Sequence, residues 1–158
     1  MASAHKNLSE YSTHNLTNIA NKRFALVVSE WNEEITSLLL AGSLETLKEH
    51  GAKEEHLMVK LVPGSFELSL GAQWMAQDTR VDAVICLGCI IEGETKHNEY
   101  IAHAVAQGLL QVSLKYNKPV IFGVLTPQTK EQALDRAGGL YGNKGVEAAT
   151  TAIKMLGF

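Results

Sequence analysis

From Cys86 to Tyr100 the chain reads CLGCIIEGETKHNEY, a stretch that concentrates residue types able to carry chemistry. An apolar run over residues 81–87 enters it, Gly88 and Gly93 punctuate it, and a helical pattern leaves it from about His97. Strand, glycine-bounded loop and helix start make a phosphate-sized socket. Loop N–H groups and the positive end of the helix dipole both point into that space. Thr95 adds a hydroxyl, Lys96 a charge, and His97 an imidazole, the side-chain type suited to moving protons near neutral pH. Gly88 and Gly93 have the spacing of a P-loop, G-x-x-x-x-G, but Glu94-Thr95-Lys96 follows where Lys and Ser/Thr are required. A carboxylate therefore stands in the place of the phosphate-binding lysine, and nucleoside triphosphate binding is disfavoured.

Three further segments fall just past apolar runs and carry unusual residues: 29–32 (Ser-Glu-Trp-Asn), 63–67 (Pro-Gly-Ser-Phe-Glu), and Phe122 with Thr126-Pro127. Trp31 is either a lid on the hydrophobic layer or a stacking platform for a flat heteroaromatic ring. Glu67 either favours a helix dipole or accepts hydrogen bonds from ligand N–H and O–H groups. His97 is either an inconsequential first-turn residue or a proton carrier beside the socket. Arg136 and Lys144, flanking the glycine-rich turn 137–143, are either solvated charges or cations brought to a phosphate, within the chain or across a subunit boundary. Cys86 and Cys89 have C-x-x-C spacing. Redox and metal motifs of that kind sit at a helix start or on a knuckle with further ligands, so small core residues in a reducing cytosol are favoured. No G-x-S-x-G elbow, H-E-x-x-H or metal-spaced His/Cys set occurs. Acidic Glu30, Glu33 and Glu34 follow the first strand in place of a hydroxyl-rich phosphate loop, which disfavours bound FMN.

The elements that must hold these groups alternate. Strands are expected over residues 24–29, 57–62, 81–87 and 119–125. Helices are expected from Asn32 (as cap) to Gly51, from Ser65 (as cap) to about Gln77, over 96–115, from Thr129 to Gly138, and from Asn143 toward Leu156. Alternation of this kind implies right-handed crossovers and a parallel sheet covered on both faces. The apolar runs 83–87 and 120–124 read as strands buried on both sides. The expected fold is an α/β three-layer α/β/α sandwich with a four- to five-stranded, mainly parallel sheet, whose ligand crevice lies at the carboxyl ends of the strands. Residues 1–21 are polar and aperiodic and read as a flexible arm, leaving 22–158 as one domain. At 158 residues, with 46% hydrophobic and 20% charged residues and a net charge of −3, a soluble domain without a nucleic-acid surface is expected. No membrane-length apolar run or signal core is visible, so the expected location is cytoplasmic.

Taken together, these segments resemble 6,7-dimethyl-8-ribityllumazine synthase, from Arg23 to Met155. The likeness rests on Trp31-Asn32, Val62 to Glu67, Gly88 with Gly93 to His97, Phe122 to Thr126, Glu131 to Gly138, and Gly142 to Gly145. It implies a flavodoxin-like sandwich that condenses 5-amino-6-(D-ribitylamino)uracil with 3,4-dihydroxy-2-butanone 4-phosphate, without metal or cofactor. Trp31 would stack on the pyrimidine. Ser65, Phe66 and Glu67 would hold the ribityl chain and ring, and Cys89, Ile90 and Ile91 would line the pyrimidine pocket with their main chain. Glu94 and Thr95 would dock the phosphate, and His97 would transfer protons. Phe122 and Arg136 would come from a neighbouring subunit, Arg136 pairing with the phosphate and Lys144 assisting. Pentamers are implied, and the uninserted 138–143 turn points to a 60-subunit icosahedral shell with riboflavin synthase as possible cargo. Glu94, Lys96, Asn98, Ser69 and Val146 depart from residues common in the family, without removing a matched functional side chain. The alternatives are a non-catalytic flavin-binding store and a pure scaffold.

Overall fold

A computed structural model describes Asn7, Ser9 and residues 17–158. Its centre is a parallel sheet of four strands, β1 (Phe24–Ser29), β2 (Leu57–Val62), β3 (Ala83–Cys89) and β4 (Val120–Leu125), in the order β2-β1-β3-β4. Leu26 pairs with both Val59 and Ile85, and Cys86 with Phe122. Strand β1 thus has β2 on one side and β3 on the other, and the chain order reverses there. This is the flavodoxin-like arrangement, and it places a crevice at the carboxyl ends of β1 and β3.

Helices α1 (Glu33–Glu49) and α5 (Lys144–Met155) cover one face of the sheet, and α2 (Leu68–Gln77) and α3 (His97–Tyr116) the other. The two-residue period of a strand divides the core accordingly. Leu26, Val28, Ile85 and Leu87 pack toward α1 and α5, while Ala25, Val27, Val84 and Cys86 pack toward α2 and α3. Every residue of β1 and β3 is buried, as a two-sided sheet requires. Burying each large aliphatic side chain contributes roughly 1.5–3 kcal/mol.

Strand β4 differs from the expectation for 120–124. It is an edge strand, with Val120 and Ile121 half-buried and Phe122 36% exposed. Its apolar side chains have a sheet neighbour on one side only. At the other edge, Val59 and Leu61 of β2 are also exposed.

Short α4 (Lys130–Asp135) starts as the sequence indicates, with Thr129 Oγ1 accepting from the Gln132 amide at 3.3 Å. It stops at Asp135, before the glycines. The expected turn over 137–143 is an antiparallel hairpin of β5 (Ala137–Gly139) and β6 (Gly142–Asn143), in which Gly138 and Gly142 take positive φ. Asn143 caps α5 through the Gly145 amide at 2.7 Å and donates to the Leu38 carbonyl at 3.0 Å, fastening α5 to α1. Ile19, expected to lie outside the core, is fully buried in the α1/α5 layer. Most of the polar arm lies outside the described residues. Among those described, no helix is long and apolar enough to cross a membrane.

Candidate active site

Backbone bonds past the ends of the strands build the crevice floor. The Glu30 and Trp31 amides donate to Val62 and Pro63 at 2.8 and 3.1 Å, and Ser29 Oγ donates to the Trp31 carbonyl at 3.0 Å. Trp31 is 72% exposed, so it fills no core space and leaves an open aromatic surface just past the end of β1. Asn32 does not cap α1 as expected. Its φ of 61° puts it in the left-handed region, it makes no cap bond, and its Nδ2 donates to the Cys89 carbonyl at 2.8 Å. Sequence reading took it as a cap because the true acceptor lies on another strand.

Past β2, residues 65–67 form a single 3₁₀ turn, and α2 begins only at Leu68. Ser65 therefore does not cap α2. Its hydroxyl is buried without a hydrogen-bond partner among the described residues and packs against Gly88 of β3. A Cβ at Gly88 would meet Ser65 Oγ at 2.7 Å, so this glycine allows the second loop to sit directly on the third strand. Phe66 and Glu67 are exposed above it.

Strand β3 runs through Gly88 to Cys89, so the loop before α3 is shorter than the glycine spacing suggests. The Ile90 and Glu92 amides donate to Leu125 and Pro127 at 2.8 and 3.0 Å. With the Cys89 carbonyl engaged by Asn32, the Ile91 N–H and the carbonyls of Ile90 and Ile91 are the main-chain groups of this segment without a partner among the described residues. The two thiols point to opposite faces of β3 and are free. Burial pushes the Cys86 thiol far up and the Cys89 thiol to about 11, so both are neutral and poor nucleophiles at neutral pH.

The segment 93–96 carries amides that donate to no group among the described residues. Thr95 Oγ1 accepts from the His97 amide at 3.4 Å, which leaves the Thr95 O–H free to donate. His97 is the first residue of α3 and is exposed, as are Glu94, Thr95 and Lys96. Free amides, a free hydroxyl and the start of a 20-residue helix form a cradle for an anion, with an imidazole at its lip.

One chain thus brings Trp31, Ser65, Phe66, Glu67, Cys89, Ile90 and Ile91 to the same sheet end, with residues 94–97 beside them. Phe122 is not among them, being in mid-strand on the β4 edge opposite Cys86. Arg136 ends α4 in the α1/α5 layer, with its guanidinium 5.5 Å from the Tyr141 ring centre. Lys144 is largely buried and bonds Glu147 one turn along at 2.8 Å, so its charge is already matched within α5. Ser29 and Asn32 are supporting residues: sequence reading placed both in the segment 29–32 but did not assign them the bonds to Trp31 and Cys89. A short polar residue on either side of an exposed aromatic was the available signal. Among the described residues no three His, Cys, Asp or Glu side chains converge as a metal site.

Residues 21–158 match the family described as 6,7-dimethyl-8-ribityllumazine synthase. The protein of that name from Cytophaga hutchinsonii is 58% identical over 156 residues, covering 99% of this chain and 98% of the relative. That from Parabacteroides distasonis is 50% identical over 158 residues, covering 100% and 99%. That from Flavobacterium johnsoniae is 47% identical over 155 residues, covering 98% and 82%. With a flavodoxin-like sheet, an aromatic platform and an anion cradle at its carboxyl edge, and a family match from residue 21 to the last residue, the chain belongs to the 6,7-dimethyl-8-ribityllumazine synthase family.

Proposed function

We infer that the crevice holds 5-amino-6-(D-ribitylamino)uracil against Trp31 and 3,4-dihydroxy-2-butanone 4-phosphate at residues 93–97. The enzyme condenses the two to 6,7-dimethyl-8-ribityllumazine and releases phosphate and water, the penultimate step of riboflavin biosynthesis. The observation that carries the site assignment is the exposed Trp31 at the same sheet end as a loop whose amides have no partner among the described residues. The pyrimidine amine is already a nucleophile and the phosphate already a leaving group. Holding them in register can therefore lower the barrier by up to ~7–11 kcal/mol. Amine addition to a ketone still needs a proton delivered to the oxygen that leaves as water, and phosphate departs as an anion. His97 at the head of α3 serves the first need. The free amides, the Thr95 hydroxyl and Arg136 serve the second. The ring meets Trp31 and the free main-chain groups of Ile90 and Ile91, and the ribityl chain lies over Ser65, Phe66 and Glu67.

Arg136 and Phe122 serve a crevice on an adjoining subunit. Two open sheet edges and the exposed apolar side chains Phe66 in the turn before α2, Leu70 and Trp74 on α2, and Leu110 and Leu114 on α3 support such an assembly. The assembly is a pentamer built into a 60-subunit shell, with riboflavin synthase as its candidate cargo. The two free thiols suit a cytoplasmic location. Sedimentation checks the size, since a mass of one pentamer rules out the shell. Purified protein mixed with both substrates yields fluorescent lumazine and free phosphate in equal amounts. Arg136→Ala lowers kcat/KM by about 10–100-fold, the range for one charge-assisted bond, mainly through KM for the butanone phosphate. Wild-type protein that binds flavin but forms no lumazine would instead mark a store.

A further inference from the structure

We propose that Asn32 is a positioning residue whose side-chain amide, bonded to the Cys89 carbonyl, locks Trp31 and the main chain of Ile90 and Ile91 into one pyrimidine-binding surface. The inference rests on the function proposed above and assigns a further determinant within that site. The backbone supplies the first indication. A non-glycine residue at φ 61° is uncommon, and asparagine is among the side chains that tolerate it. Here the conformation gives no helix cap, because the Asn32 side chain accepts no amide of α1. It aims the amide across the sheet instead, to a residue 57 positions away in sequence.

The second indication is where that bond falls. The β1–β3 ladder ends at Val28 and Leu87. Beyond it each chain turns toward its own helix, and among the described residues the backbone bonds that tie β3 onward go to the β4 side, through Ile90 to Leu125 and Glu92 to Pro127. The Asn32 bond is the tie that continues the β1–β3 join past the ladder, at the point where the platform and the pocket main chain must keep register. Trp31 is held through its backbone by Ser29 and Pro63, and its exposed ring has few neighbours to fix it. Its place over the crevice is therefore set by the residues on either side, of which Asn32 is one.

A chemical consequence follows. The Cys89 carbonyl would otherwise be an acceptor at the crevice floor. Asn32 occupies it, so the ring meets a pattern of one donor at Ile91 and acceptors at Ile90 and Ile91. Removing the amide both loosens the platform and adds a competing acceptor. The phosphate cradle at 93–97 lies beyond the Glu92–Pro127 tie and is held independently of Asn32.

The test uses the assembled full chain in a Trp74→Phe background, so that Trp31 is the sole fluorescent indole. Asn32→Gly keeps the left-handed backbone without strain and deletes the amide. Asn32→Asp keeps the shape but sets a carboxylate against the carbonyl. The expected result is a KM for the pyrimidine raised about 10-fold in Asn32→Gly, the size of one net hydrogen bond, and raised at least as much in Asn32→Asp. The concentration needed to quench Trp31 should shift by the same factor. The KM for the butanone phosphate, the assembly mass and the thermal midpoint should stay close to wild type. An unchanged pyrimidine KM in Asn32→Gly overturns the proposal. So does an equal rise for both substrates, or failure of both variants to fold, since either makes Asn32 a structural brace. Wild-type protein inactive in the same assay refutes the parent function rather than this role, so the two failures are distinguishable.

Discussion

His97→Ala is expected to lower the rate of lumazine formation on the order of 10²-fold or more, the span associated with one positioned proton carrier. The side chain is exposed at the first position of α3 and makes no hydrogen bond or ion pair among the described residues. Its loss should therefore leave the thermal midpoint, the assembly and Trp31 quenching by the pyrimidine unchanged. The backbone amide of residue 97 still donates to Thr95, so the phosphate cradle also survives. The effect should then fall on kcat, with both KM values nearly constant, the pattern of an interaction made only in the transition state. His97→Gln separates proton transfer from hydrogen bonding, because glutamine donates at a similar reach but cannot exchange a proton near neutral pH. It should be as slow as the alanine variant. A decline of less than threefold in both variants would mean that approximation of the two substrates carries the reaction and that solvent supplies the proton.

The contrast between His97 and Arg136 follows from their positions. His97 heads a helix whose own loop forms the cradle, and sequence alone places it there, since strand, loop and helix are contiguous over 83–97. Arg136 ends α4 in the opposite layer, and no local pattern tells a charge that serves another subunit from a solvated one. The same limit applies to β4. Residues 120–124 read as doubly buried because they are apolar, yet in the isolated chain β4 is an edge strand whose first three residues are only partly covered. An apolar pattern records burial in the state that was selected, and a shared interface leaves the same pattern as a core. Strands β1 and β3 were legible because two covering layers leave no polar position in them but Ser29 at the end of β1. Caps at Thr129 and Asn143 were legible because donor and acceptor lie within three residues of each other. Asn32 and Ser65 were not, because their surroundings come from β3, which the local sequence does not contain. The hairpin over 137–143 escaped notice because two glycines with positive φ read as a helix stop followed by a loop.

Gly145→Ala is expected to destabilise the chain by about 3 kcal/mol or more, at the upper end of what overpacking costs. A Cβ built there would overlap the Leu39 carbonyl oxygen and stand 2.7 Å from its carbonyl carbon. Both are backbone atoms inside α1, so no side chain can rotate away, and α5 must move off α1 instead. That movement strains the two bonds that seat α5, Ser43 Oγ to the Gly145 carbonyl at 2.9 Å and the Gly145 amide to Asn143 Oδ1 at 2.7 Å, each worth about 1 kcal/mol. Gly93→Ala is the control, since Gly93 has open space around it and no positive φ, and its denaturation midpoint should match wild type. Equal midpoints for the two variants would show that α1 and α5 separate at no cost. The seam also reaches the chemistry. The Lys144 amide donates to the Arg136 carbonyl at 2.8 Å, so the start of α5 sets where the arginine stands. Gly145→Ala protein that still assembles at low temperature should therefore quench normally with the pyrimidine while showing a raised KM for the butanone phosphate. A seam between two helices would then be fixing half of the active site from outside it, through the backbone of a residue that touches no substrate.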